Sequence, residues 1–414
     1  MKSKVKDSFI MGFAIFSIIF GAGNILFSTY IGALSGSKWI ISLLFFLLSD
    51  LGLVTLSVVA LAKTNNDEDL IYGKIGKMPS KILDVIMLAC MGPLIAIPRS
   101  AATSFSMFSF KSMLVFSLVY FTLVFIFSYK STKVVDLVGK YLTPILLISI
   151  LLFIFVGVFK NENVLVNKLS TIDSVNLGLQ MGYQTLDILC VSSLSCMIFK
   201  YMKTKKYNKK EQKVLNIYSF SIAIFLLIII YTGLSFIGAK YGNFDFNENN
   251  LLLTISKKIL NNGSIFLSII TFLACFTTAV GLTSSVANKY SHLTFVKYEY
   301  WVIIICVVSM ILSNIGLNNI VNFASPILNV IYPLIIILTL LSFFNIKNTN
   351  VHKFSCASCL IVKIICLVYK FFGIPVFVSK LPLYNLNLEW FIFAIAFAII
   401  GSLFKPKIGV CNEL

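Results

Sequence analysis

Long apolar runs recur along the chain, separated by short polar or basic breaks. Twelve can be drawn, over residues 8–30, 39–62, 82–107, 112–129, 137–159, 173–199, 214–239, 264–287, 300–317, 320–345, 354–375 and 387–405. Most are near the length of about 20 residues needed to cross a hydrocarbon core. They are continuously apolar rather than alternating, which excludes a membrane β-barrel. The clearest breaks fall at 64–69, 129–133, 201–213 and 345–350. The longest stretch outside the spans, 241–263, ends in the amphipathic Leu251-Leu252-Leu253-Thr254-Ile255 and predicts a short helix lying on the protein. The pattern predicts an all-α polytopic membrane protein of about 12 transmembrane helices.

Two spans carry residues that a membrane helix should avoid. The first contains Phe20-Gly21-Ala22-Gly23-Asn24-Ile25-Leu26-Phe27 at its midpoint. Glycine weakens a helix, and asparagine brings donors and acceptors that hydrocarbon cannot satisfy. Irregular backbone at membrane depth survives only where protein buries it or where it lines a cavity. The sixth span is interrupted similarly by Gly178-Leu179-Gln180-Met181-Gly182-Tyr183-Gln184-Thr185-Leu186-Asp187. Small residues also serve close helix packing, so each motif alone has two readings. Their positions favour a site. Each opens a set of five spans, and an odd number of spans per set inverts one set relative to the other. Paired broken helices in inverted halves mark a secondary transporter with a midplane site. The chain then divides into a first repeat (1–160), an inverted second repeat (161–346), and appended helices 11 and 12 with a cytoplasmic tail (347–414).

The eighth span adds Thr277-Thr278-Ala279-Val280-Gly281-Leu282-Thr283-Ser284-Ser285. Five hydroxyl residues in nine predict a polar face turned inward, because hydroxyls in hydrocarbon need partners. Their oxygens, with the carbonyl of Val280, suit a hard cation such as Na⁺. Hydrogen bonding back to the preceding turn is the structural reading of the same residues.

Charge fixes the orientation. The net charge is +18, and in a membrane protein such an excess is retained on the cytoplasmic side rather than signalling nucleic acid. With the N-terminus inside, inside segments carry 23 Lys and outside segments 8. This predicts both termini on the cytoplasmic side of the membrane and an even number of spans. The basic start Met1–Asp7 precedes an apolar run with no small-residue cleavage site, so the first segment is expected to remain as a helix. The lysine run 203–213 reads as a topology signal with some attraction for anionic lipid. The nine cysteines lie mostly in apolar spans as small hydrophobes. Cys356-Ala357-Ser358-Cys359 is a lone pair, and with only two histidines in the chain no metal set is completed.

Four motifs together resemble the bacterial branched-chain amino acid:cation symporter (LIVCS) family, within the amino acid–polyamine–organocation superfamily. They are Phe20-Gly-Ala-Gly-Asn24, Gly92-Pro93-Leu94-Ile95-Ala96-Ile97-Pro98-Arg99, Gly182–Asp187 and Thr277–Thr283, and the likeness covers nearly the whole chain. It implies uptake of leucine, isoleucine and valine driven by Na⁺ (or H⁺), and the five-plus-five inverted-repeat (LeuT-type) fold of the neurotransmitter:sodium symporters. Carried over, the cation site would use carbonyls of Ser17, Phe20 and Val280 and hydroxyls of Thr283 and Ser284. The substrate carboxylate would meet amides at Gly21, Ala22 and Gly23. Asn24 falls at a second, substrate-linked cation position, and Gln184 and Thr185 face the amino group. A proline usual after the first motif is replaced by Ser28.

Arg99 is the only arginine, and it lies inside a span, where a charge needs a partner. Asp187 and Asp50 are the available acids, and backbone carbonyls the alternative. The resemblance points to a structural or gating role. Asp187 would carry the proton if H⁺ is the coupling ion.

Other classes fit less well. A channel needs repeated polar rings, but the polar residues cluster at one depth. An enzyme is not indicated, since no Ser–His–Asp grouping or metal set is seen. No cofactor, nucleic acid or obligate protein partner is expected, only substrate, coupling ion and membrane lipid. The same fold carrying another neutral amino acid or a nucleobase, and an amino acid sensor that moves nothing, are the remaining alternatives.

Overall fold

The computed structural model describes residues 2–64, 69–108, 110–160, 169–242, 248–259, 263–374 and 376–404. The described residues are almost entirely helical. Eight helical stretches are long and apolar enough to cross a membrane, and three further apolar helices are shorter: Met113–Ser128, Tyr298–Ser313 and Glu389–Leu403. Large apolar side chains such as Leu44, Leu118, Phe155 and Ile303 face outward, as a lipid-facing surface requires.

Chain contacts divide the molecule into two compact units. The first comprises Met1–Val58 and Met87–Ser325, the second Val59–Ile86 and Pro326–Leu414. In the first unit, the opening span is two helices, Lys2–Ile19 and Ala22–Ser35, separated at Phe20 and Gly21. The second of these packs on the long helix Lys209–Tyr241, and the first packs on that helix and on Gly263–Leu293. The spacing at these contacts is set by glycine. A side chain on Gly281 would run into Ile18, and one on Gly238 into the backbone of Thr29.

The sixth span is likewise two helices, Thr171–Gln184 and Asp187–Thr204. The chain turns at Thr185 and Leu186, where Leu186 is left-handed at φ 75°. That conformation strains a leucine, and the surroundings hold it, since Leu186 is 2% exposed. Gly178 and Gly182 lie within the helix before the break. They let it pack against the helix around Ser42, Phe46 and Ser49, so they are packing residues in a small-xxx-small pattern. The interruption read over 178–187 is confined to Thr185 and Leu186.

A third interruption was not anticipated. The helix beginning at Lys77 passes through a π-helical turn, Cys90–Leu94, at whose centre Gly92 leaves helical geometry (φ −91°, ψ −114°), and resumes at Ala96–Met107. The Gly92-Pro93 pair is its sequence signal, since proline removes a donor and restricts the preceding residue. The short helix expected near 251–255 forms as Glu248–Ile259, with Leu251, Leu252 and Ile255 buried. The polar residues at 65–68, the lysines at 168, 405 and 407, Cys411 and the C-terminal tail lie outside the described residues.

In the second unit, Thr349–Phe372 and Glu389–Leu403 pair along their lengths. Lys363 Nζ meets Glu389 Oε1 at 2.7 Å, with side chains 5% and 2% exposed, and also donates to the Asn387 carbonyl at 3.2 Å. Cys356 and Cys359 are buried free thiols on the same helix. His352 contacts the Ile346 carbonyl through Nε2 at 2.9 Å. Removing one partner of a buried ion pair leaves the other charge uncompensated, at a cost of about 3–5 kcal/mol. Lys363→Met is therefore expected to lower the melting temperature in detergent well below that of the double variant Lys363→Met with Glu389→Gln, which leaves no orphan charge.

Candidate functional site

The helix breaks at Phe20–Gly21 and Thr185–Leu186 face each other across a small cavity. Its walls include Gly21, Gly23, Asn24, Arg99, Thr185 and Asp187. Its volume is about 20 Å³, room for little more than one water molecule.

Each broken helix exposes backbone groups that the other elements satisfy. The half-helix Ala22–Ser35 begins with amides that lack intrahelical partners. Gly21 N–H donates to Asn24 Oδ1 at 3.3 Å, so the side chain three residues on closes that end. The amides of Ala22 and Gly23 stay at the positive end of the helix, beside the cavity. The opposite problem arises at the end of Thr171–Gln184, where carbonyls are left over. Arg99 resolves it. Its Nη1 donates to the Gln184 carbonyl at 2.7 Å and its Nη2 to the Thr185 carbonyl at 3.3 Å. A cation at a helix C-terminus also complements the dipole. Arg99 is 3% exposed, and its guanidinium lies 5.6 Å from the centre of the Phe27 ring. The close approach is possible because residue 23 is glycine. A β-carbon there would stand 2.6 Å from Arg99 Nη2.

Behind the cavity is a buried polar network. Asn24 Nδ2 donates to Asp187 Oδ2 at 2.7 Å and to Tyr231 Oη at 2.5 Å. The Thr185 hydroxyl lies 3.0 Å from Asp50 Oδ1 and 2.7 Å from the Gly182 carbonyl. The charge of Arg99 acts on Asp187. Asp50, Asp187 and Tyr231 are each 2% exposed or less. Asp50 sits in the π-helical turn Leu48–Gly52, a feature often found where function needs a side chain re-aimed.

The expected cation ligands fall into two groups. The Ser17 carbonyl accepts from the Thr277 and Thr278 hydroxyls at 3.2 and 3.0 Å. Ser17 Oγ and Thr283 Oγ1 are buried and meet no hydrogen-bond partner among the described residues. On the far side, the Val280 carbonyl accepts from Ser128 Oγ at 3.2 Å, and Ser284 Oγ accepts from Tyr298 Oη at 3.1 Å. Phe20 is fully buried at the first break. Its N–H closes on the Phe16 carbonyl at 2.7 Å. Gln184 reaches the site through its carbonyl, held by Arg99. Ser28, standing in for the usual proline, returns its hydroxyl to the Asn24 carbonyl.

Two members of the network were missed as site residues. Asp50 was considered only as a partner for Arg99, and Tyr231 not at all. The signal for Asp50 was its isolation, since it is the one acid in an apolar run over 39–62. Tyr231 is one of six aromatic residues in a 33-residue helix and gave no signal.

The sequence matches the family described as branched-chain amino acid transport protein over residues 4–408. A Staphylococcus saprophyticus protein named as a branched-chain amino acid carrier is 32% identical, with 96% of each chain covered. The branched-chain amino acid permease BraB of Bacillus subtilis is 30% identical, covering 99% of this chain and 98% of the relative. Among solved structures, the nucleobase–cation symporter Mhp1 in a closed conformation superposes with a TM-score of 0.61 at 11% identity, over 96% of this chain and 92% of that one. MhsT in complex with L-phenylalanine gives 0.55 at 13% identity, over 95% and 98%. The protein therefore has the all-helical fold of the LeuT-type transporters.

If Gly23 is there to admit Arg99, Gly23→Ala should displace the guanidinium from its carbonyls. The expected loss is about 1.5–3 kcal/mol of stability, the worth of a hydrogen bond to a charged group, read by thermal or denaturant melting. An unchanged melting curve would mean that the guanidinium has other room.

Proposed function

The chain belongs to the family of branched-chain amino acid transport proteins, which are carriers and not enzymes, and we propose that it imports leucine, isoleucine and valine by symport with Na⁺ (or H⁺). The observation that carries this reading is the cavity enclosed by two opposed helix breaks. One wall offers the Ala22 and Gly23 amides at a positive helix end, which suits a carboxylate. The other offers Asp187, which suits an ammonium group, beside Gln184 and Thr185, whose carbonyls would have to be shared with Arg99. Ile18, Ile19, Met91 and Leu282 also line the cavity and would take a branched apolar side chain. One methylene is worth only about 1–3 kcal/mol in such a pocket, so the three substrates should share it.

A leucine is far larger than the cavity. Entry therefore requires the half-helices to move about their breaks at Phe20–Gly21 and Thr185–Leu186, first toward one side of the membrane and then the other. The repeats 1–160 and 161–346, inverted with respect to each other, provide a moving and a fixed partner for such alternating access. The appended helices and tail, 347–414, would stand apart from it. Both termini face the cytoplasm of the bacterial cell membrane, by the lysine bias.

For Na⁺ the ligands would be the carbonyls of Ser17, Phe20 and Val280 and the hydroxyls of Thr283 and Ser284, with Asn24 at a substrate-linked position. The unpartnered hydroxyl of Thr283 supports this choice, because a buried hydroxyl without a partner costs about 1–3 kcal/mol that a cation would offset. The Ser17 carbonyl, the Val280 carbonyl and the Ser284 hydroxyl would have to exchange their present partners, which are Thr277 with Thr278, Ser128, and Tyr298.

In proteoliposomes, an inward Na⁺ gradient is expected to drive leucine accumulation, and the double variant Thr283→Ala, Ser284→Ala to abolish the Na⁺ dependence while leaving the protein folded. Accumulation that follows a pH gradient and ignores Na⁺ would assign the hydroxyls a structural role. Leucine that binds but never accumulates would mark a sensor.

A further inference from the structure

A second, much larger cavity lies away from the helix breaks, where Met113–Ser128 meets the end of Ala96–Met107 and the helix Gly263–Leu293. Its volume is about 480 Å³, in the range of pockets that hold small molecules. It shares no lining residue with the cavity between the breaks.

Helical spacing gives its shape. Ser112, Phe116 and Tyr120 stand four residues apart in the lining, and so do Val115, Val119 and Leu123. Residues four apart lie above one another on a helix, so the lining forms two neighbouring stripes along Met113–Ser128. Val115 to Leu123 alone covers about 12 Å at 1.5 Å per residue. The cavity is therefore a groove that runs lengthwise along a helix. A helix crossing the membrane runs along the lipid chains, and so does such a groove.

Aromatic rings wall it on the protein side. The Phe272 ring centre stands 5.9 Å from that of Tyr120 and 6.2 Å from that of Phe108, and Phe110 lies 5.4 Å from Phe116. The other side opens to the lipid-facing surface. Val115 and Val119 are 61% and 54% exposed, beside the outward-facing Leu114 and Leu118.

Charge is confined to one end. Lys111 is the one charged residue in the lining, and it lies between two apolar spans. A lysine there keeps its stem along apolar surface and its ammonium at the level of the lipid head groups. On the orientation read from the lysine bias, this is the outer face. The open side lets a lipid with two chains seat one in the groove and leave the other in the bilayer.

We infer that this groove binds an anionic phospholipid, with one acyl chain against the rings of Phe116 and Phe272 and the phosphate at Lys111. The site stands independently of what the central cavity carries.

The test uses the full chain in phosphatidylcholine nanodiscs that contain phosphatidylglycerol with a photoactivatable diazirine on one acyl chain. Crosslinked peptides are mapped by mass spectrometry. Label is expected to concentrate over residues 110–123 and around Phe272, and excess unlabelled phosphatidylglycerol should displace it. Lys111→Gln is expected to weaken this labelling about fivefold, the worth of one lysine near an anionic lipid surface, and to leave labelling by a phosphatidylcholine analogue unchanged. Val119→Trp fills the groove from its lipid-facing side and should abolish labelling by both. Label spread evenly over lipid-facing segments such as those around Phe225 and Ile303, or a Val119→Trp protein labelled like the wild type, overturns the site. Lys111→Gln without effect, or displacement by oleate but not by phosphatidylglycerol, overturns an anionic phospholipid as the occupant. The wild-type map decides the site even if the variants do not fold.

Discussion

The arrangement around the cavity depends on one contact, the guanidinium of Arg99 on the carbonyls of Gln184 and Thr185. A helix that stops in the middle of a membrane leaves carbonyls that neither water nor lipid can satisfy. A planar cation with five donors can close two of them at once. Once it is placed there, other features follow. Residue 23 must lack a side chain. Leu186 can be held left-handed, and Asp187 can start the next half-helix with a positive charge nearby. The contact ties together three interrupted helices, since Arg99 itself follows the break at Gly92.

This explains why the polar residues are concentrated at one depth. Asn24 closes the N-terminal end of one half-helix and links it to Asp187 at the start of another. Tyr231 fills the remaining side, its ring tilted against Phe20 and edge-on to Phe46. A buried polar network of this kind is costly unless every member is satisfied. Thr283 Oγ1 is buried without a hydrogen-bond partner among the described residues, and it is one of the oxygens proposed to hold the cation.

Much of this was legible in the sequence because membranes punish exceptions. Gly21, Gly23 and Asn24 stood out at the midpoint of an apolar run, and so did Arg99. The helical class followed from run length and continuity. What was not legible depended on distance and direction. Gly178 and Gly182 looked like a helix breaker and turned out to be a packing face, because composition cannot separate a kink from a close contact. The break at Gly92 had a signal in Gly92-Pro93 that was used only as part of a resemblance. Asp50 reaches Thr185 from a π-helical turn that no local pattern announces. Val280 and Ser284 share a helix face with Thr283 by spacing, yet their oxygens are taken up by Ser128 and Tyr298 on neighbouring helices.

The central claim is that the substrate sits between the two helix breaks. A structure of the full chain determined with leucine present tests it most directly. The account predicts leucine with its carboxylate at the amides of Ala22 and Gly23, its ammonium toward Asp187, and a cavity enlarged by movement of the half-helices about Phe20–Gly21 and Thr185–Leu186. Leucine bound elsewhere, for example in the aromatic pocket lined by Phe108, Phe116, Tyr120 and Phe272, with the breaks unmoved, would contradict it.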